Sequence, residues 1–124
     1  MFAYMADRYD IELEPEVQKW LEALSLADYR TVEYHGDRLA EAPTTLGEPY
    51  SRHLQGAVRE LRFHLGRTAW RVTYWLAPQR RVVLLTVFRK TRRRQTAEVD
   101  RAVIAQLVCE EQHDRATHVY DREK

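Results

Sequence analysis

Five of the six residues from Arg89 to Arg94 are basic, and only Thr91 interrupts them. They follow the apolar, β-branched run "RVVLLTVF" and precede a polar segment at helical spacing that opens near Thr96. Positive charge gathered at the end of a strand suits an anionic partner. Arginine presents a planar fork of donors that meets phosphate oxygens bidentately and keeps its proton at neutral pH. Lysine adds point charge, or exchanges a proton when neighbouring cations lower its pKa. Earlier in the chain, Arg71 interrupts the alternating stretch "TAWRVTYWL" and Arg62 ends the motif "ELR" on the neighbouring strand. A charge inside a strand is expensive unless it reaches solvent or a site.

The totals conceal this. The 124 residues carry a formal net charge of only +1. Met1 to Tyr50 holds 4 Lys/Arg against 11 Asp/Glu, a net of −7. Ser51 to Val108 holds 13 against 3, a net of +10, and Cys109 to Lys124 holds 3 against 5, a net of −2. Two readings fit equally: an anionic partner for the middle of the chain, or a basic surface balanced by acidic helices of the same fold.

The length suffices for one domain with a real core, expected over 1–124, with 1–7 and 114–124 as flexible extensions. Hydrophobic residues at 44% and charged residues at 31% fit a soluble globular chain. No apolar run approaches the roughly 20 residues of a membrane helix, and no signal-peptide pattern opens the sequence. The single cysteine, Cys109, excludes an internal disulfide and disfavours a zinc site. No cofactor or metal is expected, and a reducing cytoplasm is the expected location.

The elements that must position these groups can be read in order. "RYDIEL" (8–13) alternates as a strand. Pro15 suits a first helical turn, and Val17, Trp20, Leu21 and Leu24 make an apolar stripe on a helix of about a dozen residues. Ser25 is placed to cap a second helix, with Asp28 at its third position, running to about Ala42 before Pro43. "YSRHLQGA" reads as a loop leading into the strand "VRELRFHL". Gly66-Arg67 and "APQR" are turns around "TAWRVTYWL", whose Trp70, Val72, Tyr74 and Leu76 share one face and Arg71, Thr73 and Trp75 the other. "RVVLLTVF" reads as a strand covered on both faces, and Thr96 opens a last helix to about His113. The class is α+β, in the order β-α-α-β-β-β-α, with an antiparallel meander sheet packed by helices.

The stretch from Leu54 to Ala102 resembles the RelE/HigB superfamily of toxin ribonucleases, and within it the phage-derived HigB-like branch. The resemblance rests on Leu54 and Gly56, Glu60-Leu61-Arg62, Gly66, Trp70-Arg71-Val72, Phe88-Arg89-Lys90, and a helix opening Thr96-Ala97-Glu98 where relatives carry Thr-Pro-x-x-Glu. Motif similarity covers about half the chain, and the element order agrees with the family's. The resemblance implies the toxin of a type II toxin–antitoxin pair, a ribosome-dependent mRNA endonuclease that inhibits translation. In that chemistry the ribose 2′-hydroxyl attacks the adjacent phosphate, and holding the nucleotide in line while neutralising phosphate charge supplies the catalysis. Implied partners are the 70S ribosome with its mRNA and a cognate antitoxin with a helix-turn-helix DNA-binding domain.

On that resemblance Arg71, Lys90, Arg62 and His53 are the expected catalytic residues, with His64 as a substitute for His53. Arg89, Arg92, Arg93, Arg94, Phe88 and Trp75 are the expected RNA-binding residues. Most have a plainer reading: an exposed sheet arginine for Arg71, a brace to Glu60 for Arg62, core packing for Phe88, incidental surface for the histidines and solvation for Arg92 to Arg94. The acidic tail with His113, His118 and Tyr120 is set aside for its length and charge. The alternative function is a non-catalytic basic RNA- or DNA-binding module, or an inactive toxin homologue.

Overall fold

The computed structural model describes residues 8–92 and 95–112, together with the short strand His118–Val119. The described elements are β1 (Asp10–Leu13), α1 (Pro15–Glu22), α2 (Leu26–Glu41), β2 (Ser51–Gln55), β3 (Val58–Leu65), β4 (Thr68–Ala77), β5 (Arg81–Arg89), α3 (Thr96–Gln112) and β6 (His118–Val119). They build one sheet in the order β2-β3-β4-β5-β1-β6. Strands β2 to β5 form an antiparallel meander, as the short turns require. β1 lies parallel to β5, and β6 pairs antiparallel with β1. The fold is α+β.

Two strands are additional to the expected order. Ser51–Gln55 reads as a loop in the sequence but pairs with β3 as the edge strand β2. An edge strand with one wet side needs no apolar alternation, and only Ser51 is buried, its hydroxyl 2.5 Å from that of Tyr74. Its tight turn uses Gly56, at φ 56°, followed by Ala57, without the Asn-Gly signature of a short hairpin. β6 falls within the expected C-terminal extension. The remainder of 114–124, the expected extension 1–7, and Arg93 and Arg94 lie outside the described residues.

The helices follow their sequence signals. Pro15 opens α1, which closes after eight residues rather than a dozen because Ser25 starts the next helix, its Oγ accepting from the Asp28 N–H at 3.2 Å. Val32, Gly36, Leu39 and Ala40 give α2 its buried face. These two helices cover one side of the sheet. The core there holds Val17, Leu21, Val32, Leu39, Leu61, Phe63, Val72, Tyr74 and Leu84. The opposite side carries α3 over a smaller core of Val58, Trp75, Ala77, Val83, Leu85, Ala102 and Cys109.

β5 is buried on both faces over 81–86, as its composition predicts. Its register against β4 slips in the middle: Thr73 pairs with Thr86 but Tyr74 pairs with Leu84, leaving Leu85 as an extra residue. Before this bulge the odd-numbered Val83 faces α3; after it the even-numbered Thr86 and Phe88 do. Bulges re-aim side chains in this way, and here the change of parity directs the strand end toward one cleft.

Candidate active site

The sheet register assembles the site from residues far apart in sequence. β3 and β4 set Arg62 directly opposite Arg71, and β5 sets Phe88 opposite Arg71 on the other side. In the adjoining row, β2 sets Arg52 opposite Glu60. Lys90, Thr91 and Arg92 leave the end of β5, and Gln95, Thr96, Val99 and Asp100 of the α3 N-terminal region close the far wall. The result is a cleft of about 550 Å³. Five cations line it (Arg52, Arg62, Arg71, Lys90 and Arg92) against two carboxylates, Glu60 and Asp100. The excess is positive.

Two arginines facing one another across a strand pair repel. Glu60 makes the arrangement tolerable: its Oε2 lies 3.7 Å from Nε of Arg62 and 3.7 Å from Nε of Arg71. Arg71 is only 6% exposed, and one of its terminal nitrogens donates to the Trp70 carbonyl at 3.0 Å. Arg62 Nε is buried with no hydrogen-bond partner among the described residues. A buried donor left unsatisfied is unusual and fits a place where an acceptor is to arrive.

The electrostatics are coupled. Burial raises the Glu60 pKa above the usual carboxylate value of 4.5, against the opposing pull of Arg71, Arg62, Arg52 and Lys90. Burial and then Arg62 lower the Arg71 pKa, and Glu60 raises it. Arginine begins so high that Arg71 stays charged at neutral pH. The floor of the cleft is thus a carboxylate held between cations. Such a site can bind a phosphate through two guanidinium forks and exchange a proton at Glu60.

The expected site residues divide. Arg62, Arg71, Lys90, Arg92 and Phe88 meet in the cleft. Lys90 and Arg89 part as the period of two requires: Lys90 lines the cleft, while Arg89 pairs with Trp70 and does not. His53 is not brought there. It alternates with Arg52 and Leu54, which do line the cleft, and its exposed ring instead bonds the Gly56 carbonyl at 2.8 Å. His64 is exposed on β3, outside this cleft.

Trp75 is corrected outright. It shares the face of Arg71, as expected, but is 5% exposed in the core beneath α3, which leaves no ring face for a base. Glu60, Arg52 and Asp100 are cleft residues that the sequence did not single out as functional. Glu60 stands in the motif Glu60-Leu61-Arg62, where its spacing of two from Arg62 was the available signal. Arg52 becomes legible only once β2 is recognised as a strand.

Among the described residues no group of three or more His, Cys, Asp or Glu side chains is placed to hold a metal ion. No described helix is long and apolar enough to cross a membrane. Cys109 is buried, and burial raises its thiol pKa, so it is a packing residue rather than a nucleophile.

The fold can be set beside a solved structure. A solved structure of an E. coli toxin RelE mutant in the free state superposes with a TM-score of 0.56 at 14% identity, covering 81% of this chain and 98% of that one. At that identity the likeness establishes the fold. Residues 19–108 match the model of the phage-derived Gp49-like protein family (DUF891), and the chain belongs to that family. No curated protein matches the chain.

Proposed function

We propose that this protein is the toxin of a type II toxin–antitoxin pair and that it cleaves mRNA on the ribosome at the Arg62–Arg71 cleft. The observation that carries the reading is the facing pair of arginines around Glu60, Arg71 buried and Arg62 half-buried, with Arg62 Nε lacking a hydrogen-bond partner among the described residues. Family membership and the RelE-like fold support it.

The chemistry follows from the geometry. The forks of Arg71 and Arg62 hold the non-bridging oxygens of one phosphate, and their charge stabilises the extra negative charge of the pentacoordinate phosphorus. Glu60 accepts the proton of the ribose 2′-hydroxyl as that oxygen attacks. Its raised pKa, set by burial against the pull of the surrounding cations, makes it a stronger base than an ordinary carboxylate. The bond from phosphorus to the 5′-oxygen breaks, and Lys90 at the cleft rim delivers a proton to the departing oxygen. The products are a 2′,3′-cyclic phosphate and a 5′-hydroxyl end. Arg92 and Arg52 extend the positive track along the backbone, and Phe88, 8% exposed, forms an apolar wall. Arg89, Arg93 and Arg94 contribute electrostatic attraction to ribosomal and messenger RNA.

The partners on this reading are the 70S ribosome with mRNA and a cognate antitoxin bearing a helix-turn-helix domain, all in the cytoplasm. The test is inducible expression in bacteria with mapping of message 5′ ends, comparing the native chain with Arg71→Ala. New ends in translated frames that vanish in the folded variant are expected. Undiminished cleavage by that variant contradicts the assignment. A gradual loss of RNA affinity as arginines are removed, with no new ends in the native chain, supports a non-catalytic binding module instead.

A further inference from the structure

Arg62 and Arg71 line a second cavity as well as the cleft. It measures about 410 Å³ and is walled by His35, Pro49, Tyr50, Phe63 and His64 in addition to the two arginines. That volume lies within the roughly 300–1,000 Å³ of small-molecule sites. Its lining differs in kind from the first cleft. Four of the seven residues carry an aromatic ring, the charged groups are the shared arginines, and no carboxylate is present.

The rings are held in place from behind. The Arg38 guanidinium lies 4.2 Å from the centroid of Tyr50, supporting a ring that remains 39% exposed. His35 stacks on Phe63 at 5.3 Å and 17°. Burial, followed by the charge of Arg38, lowers the His35 pKa, which keeps that imidazole neutral and able both to donate and to accept. His64 is exposed on β3, two residues beyond Arg62. Backbone pairing fixes the distance between the two cavities, because the Arg62 N–H donates to the Tyr50 carbonyl at 2.8 Å.

A positive track adjoining exposed rings is how proteins hold single-stranded nucleic acid: the cations follow the phosphates and the rings stack on bases. We propose that the second cavity is a subsite for one base of single-stranded RNA, the base flanking the phosphate bound by Arg62 and Arg71, with Tyr50 and His64 as its stacking walls. The inference rests on the RNA-cleaving reading of the first cleft and extends it. It gives the two arginines a double task, because the phosphate they hold is the one joining the seated nucleotide to its neighbour.

The test is equilibrium binding, by fluorescence anisotropy, of a short labelled 2′-O-methyl oligoadenylate to the intact protein. That probe cannot be cut, since its 2′-oxygens are blocked. An abasic backbone of equal length is the control. Tyr50→Ala should weaken the base-bearing probe by roughly 5- to 150-fold, the range for loss of one base–aromatic stack, and leave the abasic probe unchanged. Tyr50→Phe should bind like the native chain, and His64→Ala, at an exposed position, should weaken the base-bearing probe without disturbing the fold. Equal affinity of native and Tyr50→Ala proteins for the base-bearing probe overturns the subsite, as does equal weakening of both probes. The underlying reading fails separately. Messages left uncut by a native chain that still distinguishes the two probes would remove the cleavage proposal and leave the subsite, whereas cutting without that discrimination removes the subsite alone.

Discussion

The two faces of the sheet are built to different ends. Under α1 and α2 the strands offer Leu61, Phe63, Val72, Tyr74, Val82 and Leu84 to a continuous apolar core. On the other face the same strands offer Val58, Trp75, Val83 and Leu85 at one end and Glu60, Arg62, Arg71 and Phe88 at the other. α3 reflects the division: its buried residues are Ala102, Gln106 and Cys109, while Ile104, Leu107 and Val108 are 63%, 54% and 50% exposed. One face supplies stability. The other gives part of its surface to hold like charges together around Glu60.

The contrast can be broken from either side. The largest expected effect is Arg71→Ala, with a loss of about 100- to 1,000-fold in cleavage rate, the usual consequence of removing a donor from developing negative charge. Its unfolding midpoint should stay near native, because the change removes a repulsion with Arg62 along with an attraction to Glu60. Leu39→Ala is the mirror experiment. Leu39 is fully buried under the other face, so denaturant unfolding should show a loss of about 2–5 kcal/mol, with cleavage by the folded fraction unchanged.

A titration separates the faces more finely. Cleavage should fall as pH drops through the raised pKa of Glu60, giving an acid limb above the ordinary carboxylate value of 4.5 that Glu60→Gln removes. The sign for stability is opposite. Between the unfolded and the raised folded pKa, the folded chain holds a proton the unfolded chain has released, so the contribution of Glu60 to stability falls as pH rises across that window. An acid limb at or below the ordinary value, or one that persists in Glu60→Gln, contradicts its role as base.

The smallest effect concerns the tie between the faces. Past the end of β1 the edge of β5 is open, and Glu16 of α1 accepts the Val87 N–H at 2.9 Å while its other oxygen bonds Arg101 of α3. Arg101 also meets Glu98 at 2.9 Å. These are half-exposed pairs, so Arg101→Ala should lower stability by only about 0.2–1 kcal/mol. Hydrogen exchange should nevertheless show faster exchange along α3 and unchanged protection in α2.

How much of this the sequence disclosed depends on whether the signal was local. The Ser25 cap, Pro15, the Gly66 turn and the doubly covered β5 each rest on a few adjacent residues, and each was legible. The edge strand β2 was not, since its burial pattern is set by what it lies beside rather than by its own composition. The same omission concealed Arg52. Arg71 and Lys90 could be singled out as charges in or beside apolar runs. The bulge at Leu85 left no mark in the sequence, yet it decides which side Phe88 faces, and the burial of Trp75 depends on where α3 comes to rest.

The most direct test of the account adds purified protein to programmed ribosomes and identifies the chemical ends of the cut message. Native protein should yield 2′,3′-cyclic phosphate and 5′-hydroxyl ends, with folded Arg71→Ala and Glu60→Gln both strongly impaired and Leu39→Ala active below its melting temperature. Full activity in the two cleft variants, or an intact message with native protein, would contradict a polar face built for phosphate chemistry.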